Sequence, residues 1–174
     1  MQNIPKISKI LLLISVVSFT IWFGGYFARI VGLFQLFTSD TLEIQKSIFE
    51  GSNVILFKVL GPILSTGIIS YLLFIIFFFG FFFSSKLNLK SEGWLFIVIV
   101  LVSFTMPFEM YLSYIDWEIV NLILEANFNN SLALQLVEKR FAVLGSFPII
   151  EIFLYIVVIF LILLQPLKIK SNEN

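Results

Sequence analysis

The chain has 174 residues, which is enough for a single domain, 1–174. Its residues are 59% hydrophobic and 13% charged, whereas soluble domains have about 45–50% apolar and about 25% charged residues. Because the formal net charge is zero, no basic surface for nucleic acid is predicted. The composition excludes an ordinary soluble globule and predicts an integral membrane protein, with the lipid bilayer as its partner and no nucleic acid.

The chain contains neither Cys nor His. Disulfides, thiolate metal sites and catalytic thiols are therefore excluded, and so are the usual haem and zinc ligand and the common proton shuttle. Met106 and Met110 lie four residues apart, and paired thioethers can bind Cu(I). Without His or Cys to complete such a site, packing is the favoured interpretation. We predict no metal, no cofactor and no enzymatic activity.

Four apolar segments divide the chain, each long enough for the ~20 residues that cross a bilayer as a helix. They lack the alternation of apolar and polar residues that a membrane β-barrel needs. The prediction is therefore an all-α, polytopic transmembrane four-helix bundle. The predicted spans are 10–34, 59–84, 93–115 and 141–167.

The lysines predict the orientation of the bundle, because cytoplasmic segments are enriched in positive charge. Lysines occur in the N-terminal segment, in the 86–92 loop and in the C-terminal segment, and these three segments fall on one side of a four-span arrangement. The two other loops are predominantly acidic. We expect both termini in the cytoplasm and a multi-pass protein of the cell membrane. The heavy use of Phe, Ile, Asn and Lys is typical of an AT-rich bacterial genome, which indicates a bacterial inner membrane.

The two acidic loops have helical signals of their own. Asp40-Thr-Leu-Glu43 reads as a capping box that opens a short helix ending at Gly51. The segment 117–126 is predicted to form a second interfacial helix. Ser131 then begins a long helix that is expected to continue into the fourth span, with a bend near Pro148.

Small residues mark one face of the first span. Gly24, Ala28 and Gly32 recur every four residues, and Trp22 and Gly25 lie beside them. This spacing lets two helix backbones approach closely in lipid. The face is expected to pack inside the bundle. Contact with a second copy of the chain through this face is the alternative.

Four ionisable residues are predicted to lie at one depth in the outer part of the membrane: Arg29, Lys58, Glu109 and Glu151. Charges within a bilayer usually pair with one another. The expected pairs are Arg29 with Glu151 and Lys58 with Glu109. The alternatives are a polar pocket for an ion, a proton or a lipid headgroup, and contact with another subunit.

The segment 21–29, IWFGGYFAR, resembles the Trp-x-Gly-Gly opening helix of several bacterial four-helix membrane families, of which the CopD-like copper-resistance proteins are one. The resemblance covers the first span and the four-span layout, and it implies the same fold. Members that handle copper or haem are expected to use His. Since this chain has none, the resemblance implies no copper role here.

These observations favour a non-enzymatic membrane protein, a structural or accessory subunit of a membrane assembly. The alternative is a small transporter or channel component that uses Glu109 and Glu151, and an enzyme acting on lipids at the outer interface is a third. A water-accessible cavity that reaches the carboxylates would favour transport. Closed ion pairs would favour the structural role.

Overall fold

The computed structural model describes residues 5–35, 53–125, 128–143, 145 and 147–167. This part of the chain is helical and contains no strand. The predicted capping box at Asp40 and the helix ending at Gly51 lie outside the described residues. The helices are α1 (Lys6–Phe34), α2 (Asn53–Ser85), α3 (Gly93–Leu124), α4 (Asn130–Val143) and α5 (Phe147–Leu164).

Four of these helices are long and apolar enough to cross a membrane, namely α1, α2 from Ile55, α3 and α5. The prediction of a four-helix membrane bundle is therefore confirmed. Along the chain, α1 packs most extensively against α2, and α3 contacts α2, α4 and α5. Among the described residues, four crossings place the start of α1 and the end of α5 on the same side of the bilayer.

The helix α1 shows how its sequence determines which face is buried in the bundle and which is exposed. Its lipid-facing positions are apolar, and Ile10, Leu13, Val16 and Val17 are each about half exposed or more. Its buried positions recur every three or four residues over most of the helix, so they form one stripe along it. Polar side chains concentrate on this inner face because contact with hydrocarbon would leave them unpaired. The stripe consists of Ser8, Ser15, Ser18, Trp22, Tyr26, Arg29 and Leu33.

The third helix is longer than predicted. It continues without a break to Leu124, beyond the predicted span of about 93–115, so the segment from Trp117 is not a separate interfacial helix. The buried positions keep their spacing of three or four residues through Leu112, Asp116 and Ile119. Because Asp116 is paired inside the bundle, its charge does not require the helix to end there.

The long bent helix predicted to run from Ser131 into the fourth span is two separate helices in the structure. α4 ends at Val143, α5 begins at Phe147, and Gly145 lies in a turn between them. Pro148 occupies the first turn of α5, where the missing backbone N–H has no hydrogen-bond partner to lose. α4 is not among the apolar spans, and its buried face packs against α3.

Two apolar clusters form the core. One is rich in aromatic residues, with Trp22, Tyr71 and Tyr155 at its centre. The other joins the end of α1 and the start of α2 to α3 and α4. Along α1, Arg29 lies between a residue of the first cluster, Tyr26, and one of the second, Leu33. The interior of the bundle thus changes from aromatic to polar to aliphatic along its length.

Candidate functional site: a buried charge network

Asp116 in α3 is held between two arginines from other helices. Arg29 Nη1 donates a 2.6 Å hydrogen bond to Asp116 Oδ2, and Arg140 Nε donates a 2.7 Å hydrogen bond to Asp116 Oδ1. All three side chains are at most 3% exposed. The carboxylate therefore ties α1, α3 and α4 together.

Glu109 lies two turns earlier on α3 and faces α1. Its Oε1 accepts a 3.2 Å hydrogen bond from Arg29 Nη2 and another of 3.2 Å from Trp22 Nε1. Trp22 and Arg29 are seven residues apart, which places them on the same helix face. Arg29 consequently pairs with two carboxylates of α3, Glu109 and Asp116, that are also seven residues apart.

Glu151 brings α5 into the same region. Its Oε2 accepts a 2.9 Å hydrogen bond from the Tyr26 hydroxyl group. The Arg29 guanidinium lies 4.5 Å from the centre of the Tyr26 ring, which is within cation–π range. The Glu151 carboxyl group is also within hydrogen-bonding range of Glu109. We call Arg29, Glu109, Asp116, Arg140 and Glu151 the charge network.

Aromatic rings surround the Trp22 end of the network. Trp22 lies 4.9 Å from Tyr155, 5.0 Å from Tyr71 and 5.3 Å from Tyr26, measured between ring centroids. Each of these residues is about 1% exposed. The Tyr155 hydroxyl group and Thr105 Oγ1 share a hydrogen bond of 3.0 Å. The low polarity of such surroundings strengthens the ion pairs and makes any unpaired charge costly.

Several polar atoms of the network have no hydrogen-bond partner in the described part of the chain. On the carboxyl groups these are Glu109 Oε2 and Glu151 Oε1. On the guanidinium groups they are Arg29 Nε and both terminal nitrogens of Arg140. Each belongs to a side chain that is almost completely buried. Buried polar atoms are usually satisfied, so these positions mark where the network has capacity for a further group.

The structure brings together three of the four charged residues predicted from the sequence: Arg29, Glu109 and Glu151. Lys58 is exposed and lies outside the network, so the prediction of a Lys58–Glu109 pair was wrong. The predicted Arg29–Glu151 pair was also wrong, because Arg29 pairs with Glu109 and Asp116. Depth along a helix can be counted from sequence, but the direction in which a side chain points depends on the neighbouring helices.

Sequence reasoning missed Asp116 and Arg140 as network residues. Asp116 directly follows the predicted third span, 93–115, and therefore fell in one of the acidic loops, although it continues the inward spacing after Glu109 and Leu112. Arg140 continues a similar spacing after Ala133 and Val137 in α4. This periodicity was the available signal for both.

The small-residue face of α1 is divided between two environments. A Cβ added at Gly32 would lie 2.7 Å from Leu60 Cδ2, so Gly32 makes the close approach to α2. Gly24 and Ala28 are instead exposed, and nothing lies within 4 Å of a Cβ built at Gly24 or Gly25. Trp22, predicted as a packing residue, is buried and also donates the hydrogen bond to Glu109.

An apolar cavity of about 360 Å³ lies next to the aromatic cluster, between α1, α2, α3 and α5. Phe19, Phe74 and Val102 form its wall nearest to the network, and Glu92 and Gln165 lie at the opposite end. Neither Glu109 nor Glu151 lines this cavity. It therefore provides no water-filled route to the carboxyl groups.

Metal-ligating side chains are not grouped in the described residues: no set of three or more His, Cys, Asp or Glu is placed to hold a metal ion there. Met106 packs against the aromatic cluster, whereas Met110 is 45% exposed. The two thioethers thus lie in different environments.

Comparisons of this chain with protein-family models, with curated proteins and with solved structures found no match. The resemblance of 21–29 to the Trp-x-Gly-Gly families stays a prediction.

Proposed function

We propose that this protein is a non-enzymatic integral membrane protein that serves as a structural or accessory subunit of a membrane assembly. One observation carries the proposal: Asp116 bridges Arg29 and Arg140 inside a closed network whose paired side chains are at most 3% exposed. We place both termini in the cytoplasm because of the lysine distribution, and we propose a bacterial inner membrane because the heavy use of Phe, Ile, Asn and Lys is typical of an AT-rich bacterial genome. The Trp-x-Gly-Gly helix adds support for kinship with bacterial four-helix families.

The network is suited to setting the register between helices. Apolar helices in lipid gain little free energy from hydrophobic burial. Several arrangements of the helices with similar packing can therefore have similar free energies. Arg29 can reach Glu109 and Asp116 together only at one rotation and one height of α1 against α3. Moving either helix by a turn would leave buried charges unpaired, which is costly. The ion pairs thereby specify one arrangement of the bundle.

The outward face of α1 supports an interaction with another membrane subunit. Gly24 and Ala28 lie one turn apart and are both exposed, with open space above Gly24. Small residues at this spacing allow a second helix to approach closely. A rigid bundle that presents such a face can serve as a docking unit.

Cross-linking tests the proposal directly, because the chain contains no Cys. An Ala28→Cys variant places the single thiol of the protein on the small-residue face. Phe27→Cys is the matched control, since Phe27 is 43% exposed at the same depth but is turned about 100° around the helix. Each variant is expressed in native membranes, treated with a short thiol-reactive cross-linker, and extracted in mild detergent.

The proposal predicts a defined cross-linked product from Ala28→Cys and little or none from Phe27→Cys. Mass spectrometry of the product identifies either a different membrane protein or a second copy of this chain. The absence of any product from Ala28→Cys, or equal products from both variants, would contradict the docking face.

A small transporter or channel component is the second candidate. It is favoured by the unpartnered carboxyl oxygens of Glu109 and Glu151, which leave room for an ion or a proton. The test is proton flux into proteoliposomes that contain the wild-type protein or the Glu151→Gln variant. Flux that depends on Glu151 would replace the accessory role with transport, and equal, background flux from both proteins would exclude it.

A further inference from the structure

Three unpartnered oxygen atoms from three different helices lie in one region of the bundle. They are Glu109 Oε2 in α3, Glu151 Oε1 in α5 and the Tyr71 hydroxyl group in α2. Each side chain is at most about 1% exposed. The Tyr71 ring lies 5.0 Å from Trp22 between centroids, and Trp22 donates a hydrogen bond to Glu109, so Tyr71 belongs to the same region. The Tyr71 hydroxyl group can donate one hydrogen bond, whereas the two carboxyl oxygens only accept when both groups are ionised, so one further hydrogen atom or a cation is required.

The charges of the network point to the same requirement. Its three carboxyl groups face two guanidinium groups, so the network carries one excess negative charge when every carboxyl group is ionised. A net charge enclosed by apolar and aromatic side chains is strongly disfavoured. The groups that face the site are Tyr26 and Arg29 from α1, Tyr71 from α2, Glu109 and Asp116 from α3, Arg140 from α4, and Glu151 and Tyr155 from α5. One added positive charge neutralises the set.

We propose that Glu109 and Glu151 form a proton-binding site, in which Glu151 carries one proton and donates a hydrogen bond to Glu109. The two carboxyl groups are within hydrogen-bonding range of each other. Two ionised carboxylates are acceptors only, so a hydrogen bond between them requires that one be protonated. The proton supplies the missing positive charge and the missing donor at once.

The proton belongs to Glu151 because the two carboxyl groups have different partners. Glu109 Oε1 accepts hydrogen bonds from the Arg29 guanidinium and from Trp22, and a cation at this distance stabilises the ionised form. Glu151 Oε2 accepts a hydrogen bond only from the neutral Tyr26 hydroxyl group among the described residues. Glu109 is therefore the acceptor and Glu151 the donor.

The surroundings favour a proton over a metal cation. Hard cations take several oxygen ligands, and Ca²⁺ takes about 6–8. Of the four unpartnered buried side-chain oxygens among the described residues, three lie at this site and the fourth is Asn130 Oδ1, and Trp22 packs beside the site against the rings of Tyr26 and Tyr155. A proton needs only the two carboxyl groups.

Infrared spectroscopy of the purified protein in lipid bilayers at neutral pH tests this proposal. A protonated carboxyl group in an apolar environment gives a C=O stretching band separate from the bands of ionised carboxylates. We expect this band in the wild-type protein and its loss in Glu151→Gln. Glu118→Gln is the control, because Glu118 lies on α3, is partly exposed and is outside the network, and it should keep the band unchanged.

Stability measurements on the same samples provide the second readout. Gln has the shape of a protonated Glu and can donate a hydrogen bond to Glu109, so Glu151→Gln should fold and unfold at close to the wild-type temperature. Replacing sodium chloride with choline chloride at equal ionic strength should leave the wild-type unfolding temperature unchanged.

Four results would overturn the proposal. The wild-type protein could lack the C=O band, or Glu151→Gln could retain it. Glu151→Gln could fail to fold, which would show that an ionised Glu151 is needed. Finally, an unfolding temperature that rises with sodium would identify a bound sodium ion in place of the proton.

Discussion

Arg29 in α1 and Asp116 in α3 are joined by a 2.6 Å hydrogen bond although 87 residues separate them in the chain. Both side chains are almost completely buried. The same carboxylate also accepts a hydrogen bond from Arg140 in α4, so one acidic side chain balances two cations from two other helices. Stability of the bundle should therefore depend on Asp116 more than on any other carboxylate of α3.

Replacing Asp116 with Asn should strongly destabilise the protein. Asn keeps the shape of the side chain but removes the negative charge that faces Arg29 and Arg140. Breaking a buried ion pair from one side costs about 3–5 kcal/mol. The free energy of unfolding in a mild detergent measures the loss.

The control for Asp116→Asn is Glu118→Gln, which removes an acidic charge two positions away at a partly exposed site. Surface substitutions of this kind usually change stability by no more than about 0.5 kcal/mol. Similar losses from the two variants would contradict the bridging role of Asp116.

Trp22→Phe tests the indole hydrogen bond to Glu109. Phe keeps an aromatic ring in the cluster but removes the indole donor, so Glu109 Oε1 keeps only the hydrogen bond from Arg29. A hydrogen bond to a charged group contributes about 1.5–3 kcal/mol. Trp117→Phe is the matched control, because Trp117 is 50% exposed, and it should cost at most about 0.5 kcal/mol. Thermal unfolding of both variants in the same detergent measures the difference, and a smaller effect at Trp22 would argue against this hydrogen bond.

Gly32→Val and Gly24→Val separate the two environments of the small-residue face. A side chain at Gly32 meets Leu60 at 2.7 Å, whereas Gly24 has open space. Overpacking typically costs about 1–3 kcal/mol. We expect that loss at Gly32 and little change at Gly24, measured as unfolding free energies of the isolated protein in detergent. Equal effects would show that both glycines, or neither, pack inside the bundle.

The four spans and the common level of Arg29, Glu109 and Glu151 along the bundle could be predicted from the sequence because both depend on local properties. Hydropathy and length identify a membrane helix, and the rise per residue gives the height of a charge within it. The rotation of each helix could not be predicted in the same way. Lys58, for example, is exposed on α2 although the adjacent Phe57 is buried. Its side chain therefore lies on the outer side of the helix and does not pair with Glu109.

The roles of Asp116 and Arg140 depended on long-range packing. Asp116 follows an apolar segment and precedes Trp117 and Glu118, a pattern that is typical of a helix end at the membrane surface. In the structure α4 covers this part of α3, and Arg140 supplies a counter-ion. A charge that would end an isolated membrane helix is thus accommodated inside the bundle by a helix that follows it in the chain.

The most direct test of the charge network is a double-mutant cycle between Arg29 and Asp116, with Arg29→Gln, Asp116→Asn and the double variant compared in one detergent. Residues within one ion-pair network show coupling energies of about 0.5–3 kcal/mol. A second cycle between Arg29 and Glu151 serves as the comparison, because these two residues form no direct pair. We expect coupling in the upper part of that range for Arg29 and Asp116, and a smaller value for Arg29 and Glu151. Coupling near zero between Arg29 and Asp116, or a larger coupling with Glu151, would contradict the account.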